Sequence, residues 1–278
     1  MVVIASDRGC GPDGGYVYAF DQKTGKLRWK FKASGPSTGF AEIDGAIAFG
    51  TREDEWLSLD LRTGKLNWKF REASPDPQCE VRSGPATDGV KVYLATHDAM
   101  IYALDPKDGR VVWKHASASA ITTGLGVYKD VLYYGTADNH FYGLDPDGKL
   151  HSDLALPATA EGNFGWGKVG EGEMDSLFAV HGEEKNRRGM VLGLRDEFEK
   201  ITWSTEADRE WTSDQPHVWK GLVIAGNCKG EIVAYQAATG KVQWRDQVKG
   251  CVRSFGHDPT TLYIGVQEGT VYAYRPAR

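Results

Sequence analysis

Two arginines, Arg82 and Arg253, stand in similar wording, CEVRSGP from Cys79 and CVRSFGH from Cys251. A guanidinium presents its donors as a planar fork, so two of them aimed at one space would clamp a carboxylate or phosphate bidentately. Trp166, Trp211, Asp214 and His217 fall in or beside segments of the same kind, with Glu80, Asn163 and His257 close by. Together they would form a polar pocket with aromatic platforms. The competing reading pairs the arginines with Glu80 and Asp214, leaving water and ion pairs in the same space. Both readings require the elements that carry these residues to converge.

Those elements are variations on one stretch, YVYAFDQKTGKLRWKF, from Tyr16 to Phe31. Its β-branched and aromatic start suits a strand packed on both faces. Asp21 follows, placed to accept backbone N–H groups from a turn on Lys23, Thr24 and Gly25, where glycine tolerates positive φ. From Lys26 the chain alternates, with Leu27, Trp29 and Phe31 on one side and Arg28 and Lys30 on the other. The same grammar returns at Trp56, Ile101 and Ile232, with Trp68, Trp113 and Trp244 each eight residues after the turn residue. Weaker copies start at Phe141, without a tryptophan, and at Val191, ending on Trp203; a last copy starts at Val271. Repetition at a fixed period outranks any single motif.

Upstream of each copy lies a short apolar run, and before six of the seven runs lies a further segment rich in Gly, Ser and Pro. In the strand order A, B, C, D this predicts six A, seven B, seven C and six D strands. The first unit then lacks its inner strand and the last its outer one.

The pattern A-x-D-x-x-T-G-x-x-x-W resembles the tryptophan-docking repeat of the PQQ-like β-propeller superfamily, which includes quinoprotein alcohol dehydrogenases and the BamB-type outer-membrane assembly lipoproteins. The likeness covers nearly the whole chain. It implies an all-β fold, a single propeller domain over residues 1–278 with seven blades of mainly four antiparallel strands, six or eight being the alternatives. It gives Trp29, Trp68, Trp113, Trp203 and Trp244 the role of packing between blades, while the fourth repeat departs from the pattern. Inner strands would line a channel, setting Thr38, Arg82, Thr123, Asp214 and Arg253 at equivalent positions near its mouth. One superfold hosts unrelated functions, so the likeness speaks to fold more than to activity.

Composition limits the partners. With 41% hydrophobic residues, a net charge of −5 and no Lys/Arg run, the chain has a core to bury and lacks the electrostatic term behind nucleic-acid binding. No apolar run reaches membrane-spanning length. No leader pattern follows Met1, so the expected compartment is the cytoplasm if Met1 is native, and the periplasm or exterior if a leader was removed. The four cysteines match no zinc spacing; Cys10, Cys79, Cys228 and Cys251 are expected on one face, as reduced thiols or with Cys10 approaching Cys251. Hydrolase, nucleotide and metal signatures are missing.

The reading placed first is a noncatalytic scaffold or recognition module that binds another protein. A small anionic ligand or a carbohydrate at Arg82, Arg253, Asp214, Trp211, His217 and Trp166 is the second. A quinoprotein or lyase-type enzyme is the third. No cofactor is expected; PQQ with calcium is what the quinoprotein alternative would bring, and its carboxylate, amide, catalytic Asp and aromatic floor are not placed on this sequence.

Overall fold

The computed structural model describes residues 1–6, 14–35, 39–51, 53, 55–71, 84–96, 98–157, 165–170, 173–181, 189–195, 200–207 and 216–275. Within these, side chains are described except those of residues 165–170, 173–181, 189–192, 194, 195, 206 and 207. The described residues form 26 strands and no helix. None of them therefore belongs to a helix long and apolar enough to cross a membrane.

One compact unit comprises Met1–Thr136 and Tyr142–His151. It opens with a three-stranded antiparallel sheet of β1 (Val2–Ser6), β2 (Gly15–Phe20) and β3 (Leu27–Ala33). The second sheet runs β4 (Ala41–Ile43), β5 (Ala46–Gly50), β6 (Trp56–Asp60) and β7 (Leu66–Phe70). The third runs β8 (Ala86–Thr87), β9 (Val92–Ala95), β10 (Met100–Leu104) and β11 (Val111–Ala116). The fourth sheet orders β12 (Gly126–Tyr128), β13 (Val131–Gly135), β14 (His140–Leu144) and β15 (Leu150–Ala155), so the repeat without a tryptophan still has its outer strand.

The other unit comprises Ala137–Phe141 and Ser152–Arg278. Its sheets are β16 (Gly165–Gly170), β17 (Glu173–His181), β18 (Gly189–Arg195) and β19 (Lys200–Ala207), then β20 (His217–Trp219), β21 (Leu222–Gly226), β22 (Glu231–Gln236) and β23 (Val242–Gln247). The last is three-stranded, β24 (Val252–His257), β25 (Leu262–Val266) and β26 (Val271–Tyr274).

The repeat's grammar becomes geometry at the turn and at the tryptophan. Asp60 Oδ1 accepts from Thr63 N at 2.7 Å and Thr63 Oγ1 at 2.5 Å, and Gly64 N donates to Asp60 O at 2.8 Å. Gly64 sits at φ +70°, which a side chain rarely adopts. Trp29 from the preceding sheet lies under this turn, its Nε1 donating to Leu61 O at 3.0 Å. Trp68, Trp113 and Trp203 repeat the contact on Pro106, Pro146 and Ala237 at 2.8, 2.9 and 2.8 Å.

Each turn glycine therefore answers to two demands, because a Cβ on Gly64, Gly109, Gly148 or Gly240 would stand 2.5–2.8 Å from the ring below it. In the second, third, fourth and sixth sheets the two middle strands are buried on both faces, as in β5, whereas inner strand β4 and the outer strands, as in β7, alternate. Junctions are filled from both sides: Trp56, Trp68, Val92, Leu94, Tyr102 and Leu104 pack as one cluster between the second and third sheets.

Candidate functional site

β24 and the start of β20 carry the described side chains of the expected pocket. Phe255 and His257 alternate onto a common side at the end of β24, while Arg253 sits near its start, at the register shift between Val252 and Ser254. Four residues of extended chain separate Arg253 from His257 by roughly 13 Å. Arg253 and His217 therefore belong to two centres at opposite ends of one strand.

At the far end, His217 from β20 meets His257, with Nε2 and Nδ1 2.7 Å apart. The His217 ring also stacks on Phe255, with centroids 6.1 Å apart and planes 22° from parallel. Burial, then the neighbouring His257, pushes the His217 pKa down to about 4. At neutral pH the pair thus shares a hydrogen bond and ties β20 to β24. Trp219 Nε1 adds a second tie, donating to Asp258 O at 3.2 Å. The Asp258 carboxylate accepts from Tyr263 OH at 2.8 Å, Thr260 N at 2.7 Å, Thr260 Oγ1 at 2.8 Å and Thr261 N at 2.7 Å. These donors, Tyr263 first, hold it well below the usual carboxylate range, which suits a turn anchor and not a proton carrier.

At the near end, the Arg253 Nε and Nη2 both donate to Gln267 Oε1, at 3.2 and 2.9 Å. That partner is a neutral amide, and Arg253 is exposed. Beside it, Cys251 is joined to Cys228 by a disulfide, which corrects the expectation of reduced thiols. The β21–β22 turn makes the pairing local: Val252 N donates to Asn227 O at 3.0 Å, and Val248 N to Gly230 O at 2.8 Å. Cys251 N in turn donates to the Glu268 carboxylate, 3.1 Å to Oε2. Cys10 and Cys79 lie outside the described residues.

Arg82, Trp211 and Asp214 also lie outside the described residues, as do Thr38, Glu80 and Asn163. Trp166 is in β16, with its side chain outside those described. The structure thus brings His217 to His257, separates both from Arg253, and adds Gln267 and Glu268, which sequence reasoning missed. Their signal was available, since the β25–β26 connection occupies the same place in its repeat as the loop holding Cys228. Among the described residues no group of three or more His, Cys, Asp or Glu is placed to hold a metal.

Thr123, set beside Arg253 by the repeat, is buried and structural, its Oγ1 accepting from Gly135 N at 2.8 Å. A second concavity of about 570 Å³ lies in the unit that begins at Met1, lined by Asp21, Lys23, Arg28 and Arg62 among others. Its one carboxylate is already engaged, with Arg28 Nε donating to Asp21 Oδ2 at 3.2 Å.

The family model for outer membrane protein assembly factor BamB matches residues 13–184 and 157–278. The outer membrane protein assembly factor BamB of Bordetella pertussis (strain Tohama I) is 27% identical over 177 residues, 59% of this chain and 41% of that protein. The quinohemoprotein alcohol dehydrogenase ADH-IIG of Pseudomonas putida is 25% identical over 206 residues, 65% of this chain and 26% of the enzyme. The chain spans less than half the length of either relative. The crystal structure of BamB from Moraxella catarrhalis superposes with a TM-score of 0.61 at 16% identity, covering 99% of this chain and 100% of that one. At that identity the likeness establishes the fold alone, a β-propeller; the family model is what makes its repeats PQQ-like.

Proposed function

Because the chain belongs to the family of outer membrane protein assembly factor BamB, we propose that it is a noncatalytic recognition module that binds another protein during outer-membrane protein assembly. In this reading residues 1–278 form one propeller domain of seven blades. The family match, which runs from residue 13 to the end of the chain, carries the proposal. The chemistry of the described residues supports it: Asp21, Asp60 and Asp258 hold turns, and the docking indoles hold carbonyls.

The test mixes the purified chain with an unfolded outer-membrane β-barrel protein and follows association by anisotropy, and separately with PQQ and calcium. Saturable association with the barrel protein, no PQQ absorbance after desalting and no alcohol-dependent dye reduction are the expected results. Stoichiometric retention of PQQ, or no association, would overturn the reading.

A second reading is favoured by Arg253, whose fork faces a neutral amide oxygen: a small anion, such as a sugar acid, phosphate or dicarboxylate, takes the guanidinium in place of Gln267. Charge-assisted bonds contribute about 1.5–3 kcal/mol each, so Arg253→Ala should weaken such a ligand at least tenfold. A thermal-shift screen in which both proteins respond alike would end this reading.

A further inference from the structure

The first and second sheets belong to one compact unit, and a groove of about 290 Å³ lies between them, lined by Phe31 of β3, Glu53 and Leu57 before and in β6, and Leu66 and Lys69 of β7 among others. That is the small end of the range for ligand pockets, which starts at about 300 Å³, and suits one side chain. A single residue type keeps it open. In the first three repeats a small residue faces the docking tryptophan, Ala19 to Trp29, Ser58 to Trp68 and Ala103 to Trp113, and the residue before it faces a lysine. Tyr18 faces Lys30 and Tyr102 faces Lys114, but Leu57 faces Lys69.

The next junction shows what the groove lacks. Phe70 follows Trp68 by two residues as Phe31 follows Trp29, and the Tyr102 ring lies against it, with centroids 5.2 Å apart and planes 54° from parallel. Between the first two sheets Phe31 packs instead on the cluster that holds Leu57, and no ring of the chain completes the junction. Phe31 is left half-buried. On the polar side, Lys69 is paired with Glu55, which Arg71 also approaches at 3.7 Å. Glu53 has no hydrogen-bond or ion-pair partner among the described residues.

We propose that this groove takes a tyrosine side chain from an extended segment of the outer-membrane β-barrel protein, its ring on Phe31 and Leu57 and its hydroxyl donating to Glu53. The ring completes this junction as Tyr102 completes the next, and the hydroxyl gives Glu53 a donor without adding a charge to bury. A partner cation is the poorer occupant, because Lys69 and Arg71 already stand beside the acidic wall. Barrel proteins supply such side chains, since their strands alternate and carry aromatic girdles at both membrane interfaces. The chain itself supplies none. All 12 of its tyrosines lie among the described residues, and the one that is exposed, Tyr263, already donates to Asp258 at 2.8 Å. The groove meets the first sheet where Gly15 pairs with Ala33, at the end of β1 that holds Ser6 and away from Met1. The proposal rests on the reading of the chain as a protein-binding module and names what the module grips.

The probe is the labelled peptide GTVTYTVTG, with two further forms in which phenylalanine or alanine replaces the tyrosine. Anisotropy against the full chain should show saturable binding of the tyrosine form, at least tenfold weaker for the alanine form. Leu57→Tyr fills the groove from within, as Tyr102 fills the next junction, and should weaken the tyrosine form at least tenfold without lowering the melting midpoint. Glu53→Ala should weaken the tyrosine form at least threefold and leave the phenylalanine form unchanged, a split that a damaged fold would not produce. No saturable binding, equal binding of the tyrosine and alanine forms, or undiminished binding by Glu53→Ala or by a folded Leu57→Tyr overturns the proposal. Dimerisation of the free chain that Leu57→Tyr abolishes assigns the groove to a second copy and overturns it too. If the unfolded barrel protein binds wild type and Leu57→Tyr alike, the groove fails while the module reading stands; if it binds neither, both fail.

Discussion

The second sheet, β4–β7, and the last, β24–β26, are built from the same repeat and end in opposite states. In the second, Trp68 is buried under the Gly109 turn and Ser58 opposite it is 2% exposed. In the last, the strand that would bring a tryptophan is missing among the described residues, and Val271 and Ala273 face water. The difference teaches that a unit's core is completed by its neighbour's turn and its own outer strand together. Strand pairing closes the backbone, but the tryptophan closes the junction.

The largest effect that would sharpen this comparison is at Trp68. Trp68→Ala removes a buried indole from the cluster around Trp56, Leu94 and Tyr102, at an expected cost of about 3–5 kcal/mol. Trp244 is half-buried, stacked on Tyr274 at 6.2 Å and 10° from parallel. Trp244→Ala should cost about 1–2 kcal/mol, since less area leaves water's reach. Urea denaturation of both variants measures the gap, and equal losses would break the comparison.

Much of the frame was legible because its signals are local. An Asp before Thr-Gly holds its own turn, and a tryptophan at fixed spacing needs only a hairpin to reach its place, so the outer strands carrying Trp29, Trp68, Trp113, Trp203 and Trp244 follow from the wording. The repeat lacking tryptophan still forms β15, because Leu150–Ala155 pairs through backbone that the missing indole does not supply. The candidate site was less legible because its contacts join different repeats. Cys228 to Cys251 and His217 to His257 depend on which loops and strands of neighbouring sheets meet, and spacing along the chain does not encode that. Aligning inner strands put Arg253 and His217 on one wall, but position along the strand separates them.

The inner edge of the last sheet differs from its outer edge by being tied, and pH tests the tie. The His217 pKa lies near 4 when folded and near the model-compound value of 6.5 when unfolded. Between these values the unfolded chain binds more protons, so the contribution is complete above pH 6.5 and is lost as pH falls toward 4. With the ring about half in solvent, about 1–2 kcal/mol is the expected size after screening. His140 acts with the opposite sign, because its hydrogen bond to Asp153 raises its pKa and the contribution fades as pH rises. In a His140→Gln background, His217→Gln should therefore flatten stability between pH 6.5 and 4. An unaltered slope would show that the pair does not hold β20 to β24.

The smallest effect is expected at Val271, and its size is informative because the sequence supplies a matched control. Val17 and Val271 are the same side chain at the same place in their strands, each two residues before the small residue opposite the tryptophan position. Val17 is fully buried and Val271 is 66% exposed. Threonine replaces a methyl by a hydroxyl at nearly constant shape, so the substitution reports hydration more than volume. In β2 the hydroxyl enters a junction filled by Ile47, Phe49, Leu57 and Leu59, and burying it there should cost about 1–3 kcal/mol. In β26 the hydroxyl stays in water, and Val271→Thr should change stability by less than about 0.5 kcal/mol. A loss at Val271 as large as that at Val17 would mean that the β26 edge is already covered in solution.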